Sequence, residues 1–352
     1  MDPARLLQAS APPKSDFLRP ALHVIMWIWI FAYAGVAARI GLTHAATSIE
    51  ASQGRPTLLT AMGLSFFLPN VVGCFIMGLC QPLKARFKQF DAVWSGITTG
   101  FCGCCTTFAT WELHTAFQYL TDLPANATFV FFTQLLCCFG AHWGGIFTAK
   151  SICTPPPAAV DPVARLRADV SAIQVEDSDD KWQDVLRALD AISPQPVAAS
   201  SFDEDDARIM HILPRLCTAM FGLSFVLITA AAILHQTTWT ALWIAPVGAL
   251  LRFELGKRFN TSALPYGTLA ANIVASAFDC VVVIWITKPA WVEAAILTGF
   301  CGSLSTVSSW INELNGMHPR AAFRYAAITH VVALGISLII LGASQQVQSI
   351  TL

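Results

Sequence analysis

Two segments of the chain share an unusual run of residue types, GITTGFCGCCTTFATW at 96–111 and AILTGFCGSLSTVSSW at 295–310. Each sets glycines, small residues and adjacent hydroxyls inside a stretch that is otherwise apolar. Glycine is poor helix material, and side-chain hydroxyls compete with the backbone for its own hydrogen bonds. The pattern predicts a local helix break that exposes backbone carbonyls. At membrane depth such backbone survives only when buried in protein or facing water or an ion. Carbonyls near Gly103, Thr106, Gly302 and Ser305 are therefore candidate ligands for a small hard cation, which takes oxygen donors. The bland alternative is that small residues merely permit close helix packing. Two copies at matching positions favour the first reading.

Other polar and aromatic residues recur at corresponding places. Asn70 and Asn272 each put a primary amide into an apolar stretch, where an unpaired amide is costly. Each amide is either an interhelical hydrogen bond or an N–H donor aimed at an anion. Phe108, Trp111 and Trp310 follow the predicted breaks, and aromatic edges are electropositive. Their rings either pack the core or line an anion path. Arg39 and Arg252 each stand four residues after a glycine, in AGVAARI and VGALLRF. They either attract anions in a vestibule or snorkel to the interface. Cys102 and Cys105 form a C-x-x-C, but the second copy keeps only Cys301, so a thiol metal or redox site is a poor reading.

The elements that must position these residues follow from composition. Of 352 residues, 55% are hydrophobic and 12% charged, against roughly 25% charged in a soluble domain. Residues 151–208 hold 12 of the 22 acidic residues and only 5 of the 21 basic ones. The remainder is an apolar chain with a small basic excess, which excludes a disordered chain and a nucleic-acid-binding surface. The eleven cysteines lie almost all in apolar stretches, as buried thiols do, and do not form a secreted disulfide framework.

A span needs about 20 mainly apolar residues. Nine candidates run 21–43, 58–80, 92–120, 128–148, 212–234, 238–255, 266–286, 290–314 and 322–341; the sixth is weakest because Arg252 and Glu254 lie near its end. The resulting division is a tail at 1–20, a four-span block at 21–150, an acidic linker at 151–208, one span at 209–235, a second four-span block at 236–343 and a tail at 344–352. Within the linker, 180–192 (DKWQDVLRALDAI) has the spacing of a short amphipathic helix, and 200–206 (SSFDEDD) reads as mobile. Lys84, Arg86, Lys88, Lys150, Lys257, Arg258, Arg320 and Arg324 fall on one side, against Arg55 and Lys288 on the other. The positive-inside rule then puts the N-terminus and the linker in the cytosol. LPNVVGCFIMG (68–78) aligns with AANIVASAFDC (270–280), so both blocks share three markers. The single intervening span inverts the second block, and inverted repeats are a transport architecture.

These motifs resemble the fluoride channel family, over about 230 of the 352 residues. The match rests on the Gly-x-x-x-Arg pair, the asparagines of the second span and the GFCG-x-x-[TS]-T segment. The resemblance implies an all-α integral membrane protein of nine spans: two inverted four-helix repeats, a linking helix, and a broken third helix in each repeat. It implies a passive fluoride-selective channel, not an enzyme, that exports fluoride across the plasma membrane. A monomer of two fused halves would suffice, with the bilayer and the fluoride ion as its partners and no nucleic acid. A structural sodium ion would sit on carbonyls of Gly103, Thr106, Gly302 and Ser305. The family's two pore phenylalanines fall on Phe108 and Trp111 in the first half and on Val307 and Trp310 in the second. Asn70, Asn272, Arg39 and Arg252 complete the expected pathway. The resemblance implies pores that pair Phe108 with Trp310 and Val307 with Trp111, and valine offers no ring edge. The first pore is expected to conduct and the second to be vestigial. The competing class is an ion-coupled transporter, such as a small-cation or drug antiporter. Its carboxylate would be Glu112, Asp279, Glu254 or Glu313, none matched in both halves.

Overall fold

The computed structural model describes residues 14–121, 124–153, 200–234, 237–261, 263–284 and 289–344. These residues are almost wholly helical, with one isolated β-bridge between Asn260 and Pro265. The chain divides into one unit of residues 1–149 and 216–352 and another of residues 150–215. The expected helix at 180–192 lies outside the described residues.

The first block opens with α1 (Lys14–Gln53), which starts seven residues before the apolar stretch that announces it and runs ten residues past its end. Then come α2 (Leu58–Met62) and α3 (Phe67–Arg86). Next is a composite helix: α4 (Asp91–Ser95), a π-helical stretch Gly96–Cys102, and α5 (Gly103–Cys105). After a gap of two residues, α6 (Phe108–Thr121) resumes, and α7 (Pro124–Cys153) closes the block. Helix α8 (Ser200–Ile233) follows. Residues 200–206, expected to be mobile, form its first turns, consistent with acidic residues favouring a helix N-terminus.

The second block repeats the order with α9 (Thr237–Phe259) and α10 (Tyr266–Ile284). Its composite helix is α11 (Ala290–Glu293), a π-helical stretch Ala294–Cys301, and α12 (Gly302–Leu304). Then come α13 (Ser308–Asn315) and α14 (Pro319–Gly342).

Seven stretches of the described residues are long and apolar enough to cross a bilayer, so this is a multi-pass membrane protein. The two further expected spans are helical but fall short for different reasons. The 92–120 stretch is made less apolar by its threonines and glycines, and α9 carries Arg252 and Glu254.

The glycines of the Gly-x-x-x-Arg pairs decide how the helices approach. A Cβ on Gly35 of α1 would strike the Phe101 carbonyl, and one on Gly248 of α9 would lie 2.5 Å from the Phe300 carbonyl. Each composite helix is thus held at backbone contact with the helix carrying the arginine. Only glycine allows that approach, as small residues do at close helix crossings. The main apolar cluster draws on both blocks and includes Phe66, Phe108, Trp111, Phe131, Trp310 and Tyr325.

Candidate functional site

Both composite helices stop at the same register. Thr106 is extended (φ −91°, ψ 149°) after α5, and Ser305 is extended (φ −79°, ψ 162°) after α12. The helical bond ending at each is still made, from Thr106 N–H to the Cys102 carbonyl (3.1 Å) and from Ser305 N–H to the Cys301 carbonyl (2.9 Å). The next is diverted. Thr107 N–H donates instead to Asn70 Oδ1 (2.8 Å), and Asn70 Nδ2 donates to the Thr107 carbonyl (3.2 Å). In the second half Thr306 N–H donates to Asn272 Oδ1 (2.8 Å), and Asn272 Nδ2 donates to the Thr306 carbonyl (3.2 Å). Each asparagine is therefore a two-point clamp on an irregular residue, buried and hydrogen-bonded as such amides must be. The diversion also takes from the Gly103 and Gly302 carbonyls the amides that would close their helical turns.

The hydroxyls at the breaks cap the opposite half. Ser305 Oγ accepts from Phe108 N–H (3.2 Å) and Ala109 N–H (3.1 Å), the opening amides of α6. Thr106 Oγ1 accepts from Val307 N–H and Ser308 N–H, each at 3.2 Å, at the start of α13. Side-chain oxygens commonly satisfy the first N–H groups of a helix, but here the cap lies about 200 residues away in the sequence. Thr106 Oγ1 also lies 3.1 Å from Ser308 Oγ and 3.3 Å from Thr306 Oγ1, and Thr107 Oγ1 lies 3.4 Å from Ser305 Oγ. The centre is a buried patch of hydroxyls and backbone. Thr107, Thr306 and Ser308 join the residues singled out from sequence; the doubled hydroxyls were their signal.

The arginines cross between halves. Arg39 Nη1 donates to the Gly302 carbonyl (2.8 Å) and Nη2 to the Thr298 carbonyl. Arg252 Nε donates to the Ser303 carbonyl (3.1 Å) and Nη2 to the Thr99 carbonyl (2.9 Å). Both are buried, so neither snorkels. A Cβ on Gly103 would occupy the place of the Arg252 guanidinium, and one on Gly302 that of Arg39. These glycines thus make room for a guanidinium as well as ending a helix.

Each arginine also lines a cavity. One of about 460 Å³ is bounded by Arg252, Lys84, Lys257, Thr99, Ser309 and Asn312. Another of about 140 Å³ is bounded by Arg39, Thr43, Ser65, Thr107, Thr110 and Thr298. Their walls correspond across the halves: Arg252 with Arg39, Thr99 with Thr298, Ser309 with Thr110. Both bring a cationic group and hydroxyls together, a combination suited to a small anion, and the larger also carries the Glu313 carboxylate.

Beside the hydroxyl patch lie the rings. Phe108 and Trp310 meet edge to face (centroids 5.2 Å, 72°), and Trp111 lies 6.2 Å from Phe108 and 6.4 Å from Trp310. Val307 is buried in the same cluster but brings no ring. Trp111 stacks on Phe131, which stacks on His330, and His330 Nδ1 lies 2.7 Å from Glu112 Oε1. This Glu112–His330 pair, across 218 residues, had no signal in the sequence. Glu313 takes hydrogen bonds from Thr268 (2.6 Å), Tyr325 (2.8 Å) and Asn260 (3.2 Å). Cys105 Sγ lies 3.6 Å from the Pro69 carbonyl, and no group of three His, Cys, Asp or Glu among the described residues is placed to hold a metal.

The oxygen atoms at the centre suit a hard cation in kind, and those of Gly103 and Gly302 have lost their helical donors. The Gly302 carbonyl is already met by Arg39.

The chain was compared with known proteins. Across 370 aligned residues it is 22% identical to Fluoride export protein 2 of Saccharomyces cerevisiae, covering 91% of each chain. It is 30% identical to Fluoride export protein 1 of Candida albicans, over 78% of this chain and 70% of that one. A shorter relative, the Fluoride-specific ion channel FluC of Bordetella avium, is 42% identical over 98 residues, which is 27% of this chain and 78% of its own. No solved structure matches. The family model described as CrcB-like protein, Camphor Resistance (CrcB) matches twice, at residues 26–146 and 239–343. The two matches fall on the two blocks that carry the paired breaks, clamps and arginines, and the chain belongs to the CrcB family.

Proposed function

We propose that this protein is a passive fluoride-selective channel that carries fluoride out across the plasma membrane and so protects the cell. Its relatives are named for fluoride export and fluoride-specific conduction. The observation that carries the reading is the arrangement at the centre of the molecule. Two arginine-lined cavities approach one buried patch of hydroxyls, and a cluster of aromatic rings flanks that patch. Fluoride is small and strongly hydrated, so it enters a narrow path only where hydroxyls, N–H groups and ring edges replace its water. Larger halides gain less from the same donors and fit less well.

The nine spans form two inverted four-helix repeats joined by α8, with the N-terminus and residues 151–208 in the cytosol. A monomer supplies both halves. Arg39 and Arg252 raise the local concentration of anions at the two mouths while holding the composite helices at Thr298, Gly302, Ser303 and Thr99. The conducting path passes Phe108 and Trp310; the path past Val307 and Trp111 is vestigial. No coupled ion is needed. An inside-negative potential supplies about 2.3 kcal/mol per charge per 100 mV for outward anion movement.

Carbonyls of Gly103, Thr106, Gly302 and Ser305 would hold a structural sodium ion, whose charge would secure the junction between the halves. Replacing sodium by a large organic cation is expected to lower the melting temperature of the purified protein; an unchanged melting temperature would remove the ion from the reading.

Efflux from liposomes holding the purified protein tests the function. Rapid electrogenic loss of fluoride, without loss of chloride down an equal gradient, is the expected result. No fluoride flux, or flux that requires a proton gradient, would favour the coupled transporter.

A further inference from the structure

The indole N–H groups of Trp111 and Trp310 are both buried and have no hydrogen-bond partner. Both side chains are fully enclosed, at 0% exposure. A buried indole usually finds an acceptor for its single donor, because leaving it bare in an apolar core is costly. A phenylalanine would fill much of the same space without that cost. The feature occurs twice, at matching positions in the two halves, so it is a property of the site.

The surroundings connect these donors to the path. Ser309, one residue before Trp310, lines the larger cavity, and Ser308, two before it, belongs to the central hydroxyl patch. Trp310 thus follows a residue of the cavity wall and a residue of the patch in α13, and the Phe108 ring lies edge-on against it. The hydroxyl of Tyr325, in the same cluster, is committed to Glu313. Trp111 has the corresponding place after Thr110, but its ring is stacked on Phe131, and the residue matching Phe108 in the other half is Val307, which brings no ring.

We infer that the indole N–H of Trp310 is a hydrogen-bond donor kept free for fluoride at the narrow part of the conducting path. The inference rests on the fluoride-channel reading and deepens it. Ring edges offer only weak C–H donors, whereas N–H to a fluoride ion is a charge-assisted hydrogen bond of the stronger kind. Fluoride is the halide that accepts such a bond best, so an N–H that waits unpaired favours it over chloride. Trp111 carries the same donor on the path that does not conduct.

The test is fluoride efflux from liposomes containing the full chain, with Trp310→Phe compared with Trp143→Phe, an exposed tryptophan of α7. Phenylalanine keeps a ring edge and removes only the donor and part of the bulk. Trp310→Phe is expected to slow fluoride efflux at least tenfold, and Trp143→Phe to leave it within about twofold of the parent. Trp310→Phe efflux within twofold of the parent would overturn the indole donor while leaving the channel reading intact. A parent protein with no fluoride flux would overturn the channel reading, and the donor with it. Should Trp310→Phe fail to fold, the parent protein decides, carrying a 15N-indole label at residue 310 in lipid nanodiscs. The indole N–H resonance is expected to move downfield on adding sodium fluoride and to stay in place with sodium chloride. No movement with fluoride overturns the inference.

Discussion

Replacing Asn70 by alanine separates the two roles that an intramembrane asparagine can play. In the structure its amide both accepts from Thr107 N–H and donates to the Thr107 carbonyl. Asn70→Ala removes two hydrogen bonds and leaves two buried backbone groups bare. Thr107 lies outside a helix, between α5 and α6, so no neighbouring turn takes them over. A stranded buried donor or acceptor costs about 1–3 kcal/mol, so the pair amounts to about 2–6 kcal/mol. At about 2–4 °C per kcal/mol, the melting temperature should fall by several degrees and up to about 20 °C. The assay is the fraction of protein that remains monodisperse in detergent after heating, measured beside Asn272→Ala. The two should fall alike, because the Asn272 clamp on Thr306 has the same distances. An Asn70→Ala protein that loses fluoride flux yet melts within about 2 °C of the parent would refute the clamp. Asn70 would then belong to the ion path alone.

Three further outcomes are expected. Gly302→Ala puts a methyl group where the Arg39 guanidinium lies, so Arg39 must leave the Gly302 carbonyl and the melting temperature should fall, whereas Gly335→Ala on α14, with open space around it, should be harmless; melting temperature and monodispersity compare them. Ser305→Ala removes the shared acceptor of Phe108 and Ala109; a loss of about 1–3 kcal/mol is expected, seen as a lower melting temperature, and Ser305→Thr should restore it. Phe108→Ile should abolish fluoride efflux from liposomes while Val307→Ile preserves it; a conducting Phe108→Ile beside a silent Trp111→Ile would reverse the assignment of the two paths.

The break was legible in the sequence because its cause is local. Glycine, small residues and paired hydroxyls weaken a helix wherever they occur, and the doubling at 96–111 and 295–310 fixed the register. The Gly-x-x-x-Arg pairs were legible as a recurring spacing, but not in their use. That Arg39 would reach Gly302 is a fact about helices packed from opposite ends of the chain, and no local pattern encodes it. The asparagines stayed open for the same reason, since a clamp and a pore donor need the same amide. The Glu112–His330 pair left no trace, because neither residue has a counterpart in the other half: Ile311 stands opposite Glu112. The length of α1 beyond Thr43 was missed because hydropathy marks the bilayer-buried part of a helix and not its continuation past it.

The cross-capping has a consequence for why one chain holds both halves. Ser305 supplies the acceptor for the first amides of α6, and Thr106 supplies it for those of α13. Each half clamps its own break through its asparagine but draws the cap for the first amides of its resumed helix from the other half. With no water in the hydrocarbon region those amides need that cap. The halves are therefore obligate partners. Fusion ensures that they meet once each, and it lifts a constraint that identical halves would face. In a pair of identical halves, any change at the ring positions alters both paths together. Here Phe108 and Val307 occupy matching places and differ, as do Glu112 and Ile311, while the capping hydroxyls, the asparagines and the arginines persist on both sides. What must hold the junction is duplicated, and so is the Trp111/Trp310 position, whereas the first ring position is not. That division is the one expected if both breaks carry the structure and a single path carries the ion.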